Sequence, residues 1–270
     1  MIFLLDEFYV YLKTEKGFKE NTIKTYIAII KNYFKYNYKI TVSDAKKYYI
    51  HKLKTTESTY HQKNICYALK HFFSMKGIKL SIKSPKLVNK RRKCLTYKET
   101  IIFLESIKDP RDKLMVTLQV QTGLRPSELM NIELGDIDLK KSEILIRNTK
   151  TNDERKIYLT TKVSLLLEKY INQRKSNSET KKLFLCKNKN KGLSLYQYQR
   201  LLRKYSRKSG IKATPYMLRH TFATLFIERE GNLLILKDLL GHKKIETTER
   251  YIHECDAMIK DQYYKHVPDF

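Results

Sequence analysis

No run of about 18 consecutive apolar residues occurs in the 270-residue chain, so no membrane-crossing helix is expected. The opening MIFLLDEF is apolar, but it is too short for a secretory leader and carries two acids, Asp6 and Glu7,. Cysteine is scarce. Cys66, Cys94, Cys186 and Cys255 are widely spaced and form no C-x-x-C pair, so neither a zinc site nor a disulfide framework is expected. Reduced thiols in a cytoplasmic protein are. No G-x-x-x-x-G-K-[ST] loop is present, which argues against NTP hydrolysis by that route. Acidic residues are the other shortage: 28 Asp and Glu stand against 55 Lys and Arg, a formal net charge of +27. That excess is too large for an enzyme of neutral substrates. It points to a polyanion, nucleic acid first and an anionic membrane surface second.

What is present is a chain able to build cores, with 41% hydrophobic residues, and not a disordered basic tail. Both parts are basic. Residues 1–95 carry 21 Lys and Arg against 6 Asp and Glu, and residues 96–270 carry 34 against 22. Two modules gripping one polyanion fit this better than a single basic extension.

The first third reads as about four helices. Phe3, Leu4, Phe8 and Leu12 share one helical face, and Ile23, Ile27, Ile30 and Phe34 form a second stripe that Asn21 is placed to cap. A segment from Ser58 carries Ile65, Leu69, Phe72 and Phe73 and stops at Gly77, with VSDAKKYYIHKL before it. Residues 84–95, with Lys90, Arg91, Arg92 and Lys93, read as a basic linker. Beyond it, Thr96 and Glu99 make a capping box, Gly123 ends a helix and Pro126 starts the next. Two alternating runs, 142–147 and 155–159, read as a hairpin. The rest is helical, with Gly210, Gly231 and Gly241 at the expected C-terminal ends. The fold class is mainly α with a small antiparallel β-sheet: a helical domain over 1–83, the linker, and a second domain over 96–270.

Five motifs follow in order: TGLRPSEL (122–129), NTKTNDER (148–155), PYMLRHTFAT (215–224), LLGH (239–242) and TTERY (247–251). As a set they resemble the tyrosine recombinase, or phage-type integrase, family, and its short Xer-like members in particular. The resemblance implies a SAM-like core-binding bundle followed by the family's catalytic domain. It assigns Arg125 and Arg219 as the two arginines, Lys150 as the hairpin lysine, His242 as the third-motif histidine and Tyr251 as the nucleophile. Tyr216 stands where most members carry a histidine. The implied activity is site-specific cutting and rejoining of DNA through a 3′-phosphotyrosine, with no metal, cofactor or ATP. The implied partner is double-stranded DNA held between two domains. Four protomers would synapse on it, from chains that are monomers when free. No membrane is involved.

The chemistry explains the residue types. An in-line transition state adds charge to the nonbridging phosphate oxygens, and guanidinium forks bind such oxygens without ever losing their charge. Each well-placed donor contributes on the order of 3 kcal/mol to barrier lowering. A phenol with an ordinary pKa of about 10 is roughly one part in a thousand phenolate at neutral pH, so the nucleophile needs positive charge or a base beside it. Lys150 would protonate the leaving 5′-oxygen.

Plain structural roles compete at each position. A lysine in so basic a chain is ordinarily a solvated charge, and the hairpin context is what singles out Lys150. His220 adjoins Arg219 but points elsewhere on a helix, so it reads as structural. His253 and Glu128 read as supporting residues. The tail from 254 to 270 carries Met258, Ile259, Tyr263 and Val267 as a short apolar face; the resemblance implies packing on a neighbouring protomer, and folding back on its own chain is the alternative. Two other whole-chain readings stand beside the recombinase: a DNA-binding architectural factor without cleavage, and a type IB-like topoisomerase. At Tyr216 a neutral hydroxyl donor is expected, weaker than a charged imidazole. If that hydroxyl contacts the phosphate, Tyr216→Phe slows strand cleavage and Tyr216→His does not; unchanged cleavage by the Phe variant removes the role.

Overall fold

Apolar residues three and four apart set the helices of the N-terminal part. In the computed structural model, which describes residues 2–86, 93–147, 154–174, 180–186, 191–249 and 251, these helices are α1 (Ile2–Thr14), α2 (Glu20–Tyr36), α3 (Val42–Thr55) and α4 (Thr59–Met75). The chain divides into two compact units between residues 90 and 91. The core of the first unit is aromatic: Phe72, fully buried, meets Phe8 and Phe34 edge-on at ring separations of 5.3 and 5.5 Å. Ser58 caps α4 through the His61 N–H, and Thr41 caps α3 through the Asp44 N–H.

Two local expectations need correction. The buried face of α1 is Leu5, Phe8, Tyr11 and Leu12, while Phe3 is 81% exposed. Two residues along a helix turn a side chain through about 200°, so Phe3 and Leu5 cannot share a face. Asn21 does not cap α2. The helix begins at Glu20 after Lys19, whose carbonyl already accepts from the Thr22 and Ile23 N–H groups at 2.9 and 3.1 Å, so Asn21 lies inside the first turn.

The second unit comprises α5 (Tyr97–Ser106), α6 (Pro110–Thr122), α7 (Pro126–Asn131), a 3₁₀ turn (Leu134–Asp136), strands β1 (Ile137–Asp138), β2 (Glu143–Arg147) and β3 (Glu154–Tyr158), then α8 (Thr161–Gln173), α9 (Leu195–Ser209), α10 (Pro215–Glu228), α11 (Leu233–Leu240) and α12 (Glu246–Glu249). The strands form an antiparallel sheet in the order β1-β2-β3, with Ile144 opposite Ile157 and Ile146 opposite Arg155. β1 is too short to leave a period in the sequence. The capping box of Thr96 and Glu99 is present, and Leu95 just before it is buried, its N–H donating to Thr221 Oγ1 at 2.9 Å.

Helix α6 is the centre of this unit and is buried on most sides. Phenols lock α9 to it: Tyr198 donates to Gln119 Oε1 at 2.6 Å and Tyr205 to Asp112 Oδ2 at 3.0 Å. Helix α10 also packs along α6. Its end differs from expectation, because Glu230 takes the left-handed turn (φ 60°) and not Gly231. Lys150, Lys90, Arg91, Arg92, His253, Cys255 and the tail 254–270 lie outside the described residues.

Candidate active site

The last carbonyls of a helix have no partner within the helix and carry its negative dipole end. At the end of α11 three of them face arginines. Leu239 O accepts from Arg155 Nε at 2.8 Å, Leu240 O from Arg219 Nη2 at 2.8 Å, and Gly241 O from Arg125 Nη2 at 2.8 Å. The end of α6 adds a fourth contact, Gly123 O to Arg219 Nη1 at 2.7 Å. Both helices end on a left-handed glycine, Gly123 with φ 63° and Gly241 with φ 62°. A β-carbon at Gly123 would also collide with the Phe222 and Leu240 side chains. The glycines thus let two helix ends converge on one set of guanidinium groups.

A single carboxylate ties the set together. Glu128 Oε1 accepts from Arg125 Nη1 at 2.7 Å and Arg155 Nη1 at 3.1 Å. Its Oε2 accepts from the Arg125 backbone N–H at 2.7 Å and Arg155 Nη2 at 2.8 Å. Oε2 is also 4.0 Å from Arg219 Nη1. Burial by itself would raise the Glu128 pKa. The bonds and charge of Arg155, then those of Arg125, outweigh it and hold the carboxyl below its ordinary value of 4.5. Arg219 is pushed down to about 10, first by burial and next by the charge of Arg125, with Glu128 opposing. It remains a cation at neutral pH. Three guanidinium charges against one carboxylate leave the cluster with a net excess of positive charge. Arg125, with a third of its side chain exposed, keeps N–H groups that an incoming anion can use.

The imidazoles complete the site. His242, just past α11, has Nε2 3.0 Å from Arg219 Nη2 and Nδ1 2.9 Å from Thr248 Oγ1. A guanidinium only donates, so Nε2 accepts and the proton sits on Nδ1, donating to Thr248. Tyr251 is 1% exposed and packs with Ala223, Ile227, Leu236 and Leu240 of α10 and α11. Its hydroxyl lies 2.8 Å from His220 Nδ1. Other buried phenols bond to groups of a different kind, such as Tyr33 to the Lys39 carbonyl at 2.6 Å. Burial and the nearby Asp44 push Tyr33 up to about 12.

The expected residues therefore separate. Arg125, Arg219 and His242 come together, and Tyr251 joins them through the neighbour of Arg219. Tyr216, on the first turn of α10, is 59% exposed, whereas Arg219 one turn later is buried. Two residues stand in the site that sequence reasoning passed over. Arg155 was hidden inside the hairpin motif. Its signal is the strand period: it shares a face with the buried Ile157, opposite to Glu154, Lys156 and Tyr158, and a charge facing inward needs a partner. His220 was read as structural. It does point away from Arg219, and the direction it takes leads to Tyr251. A cleft of about 320 Å³ beside the cluster is lined by Arg155, Lys237, Gly241, His242 and Lys243 together with Glu154 and Asp238.

Comparison with known proteins gives the family and the fold. The sequence profile of the phage integrase family matches residues 93–258. The tyrosine recombinase XerA of Pyrococcus horikoshii is 34% identical over 92% of this chain and 88% of its own length. The tyrosine recombinase XerD of Staphylococcus haemolyticus is 29% identical over 98% of each. Among solved structures, a XerA recombinase crystal structure matches 99% of both chains at a TM-score of 0.61 and 27% identity. The Tn1549 transposon integrase in complex with transposon right end DNA matches at a TM-score of 0.76, with 20% identity over 97% of this chain and 99% of that one. That likeness speaks to the fold alone.

Glu128→Gln tests the role of the shared carboxylate. Removing one partner of a buried ion pair costs about 3 kcal/mol or more, read as a lower denaturant midpoint at pH 7. Because the folded pKa of Glu128 is depressed, its contribution is complete above 4.5 and is lost as pH falls through the lower folded value,. The gap between wild type and variant accordingly closes on acidification.

Proposed function

The chain belongs to the phage integrase family, and from that premise we propose how its residues act. It is a tyrosine-type site-specific DNA recombinase, which breaks and rejoins DNA strands. The named tyrosine recombinases among its relatives favour this over a DNA-binding factor without cleavage or a type IB-like topoisomerase. The observation that carries the reading is the cluster of Arg125, Arg155 and Arg219, whose charge exceeds that of Glu128.

In this reading Arg125 and Arg219 bind the nonbridging oxygens of the scissile phosphate. Arg155 fixes Glu128, and Glu128 fixes Arg125, so the fork is oriented before DNA arrives. Such preorganised donors stabilise the charge that develops in the transition state. His242 holds Arg219 and is itself oriented by Thr248. Tyr251 Oη attacks phosphorus, the bond to the 5′-oxygen breaks, and Lys150 protonates that oxygen. The 3′-phosphotyrosine keeps the ester energy, so a 5′-hydroxyl from a second strand reverses the step without ATP. Tyr216 contributes a neutral hydroxyl at the phosphate. Two DNA sites are brought together by four protomers. The compartment is the cytoplasm, in keeping with the free thiols of Cys66 and Cys186 among the described residues. None of the helices is long and apolar enough, among the described residues, to cross a membrane.

A nicked suicide duplex, in which the cut strand loses its 5′-hydroxyl fragment, tests the nucleophile. Wild type accumulates a covalent protein–DNA adduct and Tyr251→Phe forms none while still binding the duplex. An adduct with the Phe variant moves the assignment to another tyrosine, with Tyr263 and Tyr264 next.

A further inference from the structure

We propose that His220 accepts the proton of Tyr251 and is a catalytic residue of strand cleavage. The inference rests on the reading of Tyr251 as nucleophile. A phenol becomes a competent nucleophile as it loses its proton, and that proton needs a receiver at hydrogen-bond distance. His220 Nδ1 stands 2.8 Å from Tyr251 Oη, with the two rings 5.7 Å apart. With its own proton on Nε2, the imidazole accepts the phenolic O–H at Nδ1. The Tyr251 ring is 1% exposed, so bulk water does not take the imidazole's place.

The other candidates are committed elsewhere. The Nε2 lone pair of His242 faces Arg219, and its Nδ1 proton goes to Thr248. Tyr216 is a phenol, which does not take up a proton near neutral pH as an imidazole does. Glu128 is saturated by two arginines and held ionised by them.

The placement follows from α10. Arg219 and His220 are consecutive and both buried, 4% and 7% exposed. About 100° of helix rotation separates their directions. One side chain goes to the carbonyls of Gly123 and Leu240, and the other goes to Tyr251. A single rigid element thus fixes the spacing between a phosphate-binding guanidinium and the receiver of the nucleophile's proton. Of the charged and titratable groups on the surrounding elements, those hydrogen-bonded into the site are Arg125 and Glu128 on the α7 turn, Arg155 on β3 and His242 after α11, with Arg219 on α10 itself; α11 also carries Lys237 and Asp238, α12 carries Glu246 and Glu249, and α10 ends on Glu228. The excess positive charge of Arg125, Arg155 and Arg219 over Glu128 favours the phenolate, and the charge of the bound phosphate offsets the opposition of those arginines to an imidazolium.

The step balances. The Oη–P bond forms as the P–O5′ bond breaks, the phenolic proton passes to His220 Nδ1, and the 5′-oxygen takes a proton from Lys150. On rejoining, the incoming 5′-hydroxyl gives its proton to the lysine and the departing phenolate recovers its proton from His220.

The test measures single-turnover adduct formation on a nicked duplex carrying the chain's own recombination site. His220→Asn keeps a hydrogen-bonding group near the Nδ1 position and removes the basicity. The variant is expected to bind the duplex and melt as wild type does, and to form adduct about 100-fold more slowly. Replacing Tyr251 by 2,3,5-trifluorotyrosine, whose phenol ionises near neutrality unaided, restores most of the rate to the Asn variant. A merely structural role does not respond to the acidity of the phenol. An Asn variant as fast as wild type, or a slow one that fluorination leaves slow, overturns the proposal. Absence of adduct from wild type overturns the nucleophile reading itself, and the role of His220 falls with it.

Discussion

The arrangement depends on one constraint: a guanidinium group held in a protein interior must have its N–H groups met by acceptors. The acceptors here are the last three carbonyls of α11, the end of α6 and the Glu128 carboxylate. Each arginine is fixed by at least one helix end, so orientation comes from backbone already ordered by secondary structure. The glycines that end α6 and α11 are necessary to this, since a side chain at Gly123 would displace Phe222 and Leu240. Without helix ends at this point, the same arginines would be long side chains losing rotamer freedom to reach one geometry.

Neutralisation is deliberately incomplete. A second carboxylate would stabilise the resting cluster and remove its use for an anion. With Glu128 alone, Arg125 is anchored and still a third exposed, while Arg155 is 12% exposed and acts as a brace. Arg219, deeply buried and pushed down to about 10, shows how strongly this environment resists one more positive charge. In the proposed reading a phosphodiester would relieve that stress, and its transition state, with more charge on the oxygens, would relieve it further. Binding that strengthens along the reaction coordinate is the requirement for catalysis.

Much of this was legible in the residues. The helical stripes, the capping box at Thr96, the Gly123–Pro126 junction and the hairpin follow from periods and end signals that local sterics impose. Arg125, Arg219 and His242, which the structure brings together, stand out in the sequence because their motifs follow in a recognisable order. The rest depended on tertiary direction. Phe3 was placed in the core because four apolar residues over ten positions fit more than one helical face. Arg155 looks like one charge among many in so basic a chain, although the strand period puts it on the face of the buried Ile157; its partners come from other elements. His220 was set aside because it diverges from Arg219, a correct statement about helix geometry that says nothing about where Tyr251 lies. A contact between residues 31 apart along the chain leaves no local trace.

In the proposed reading the arginine cluster acts on the charge of the scissile phosphate. The most direct measurement compares Arg125→Ala with wild type on two nicked duplexes, one with an ordinary scissile phosphate and one with an uncharged methylphosphonate there. On the phosphate, the variant forms adduct at least about 100-fold more slowly, the cost of removing one transition-state donor. On the methylphosphonate the account predicts that most of this deficit disappears, because the charge that Arg125 answers is gone. An equal deficit on both substrates would contradict it and would mean that Arg125 serves only to hold the fold.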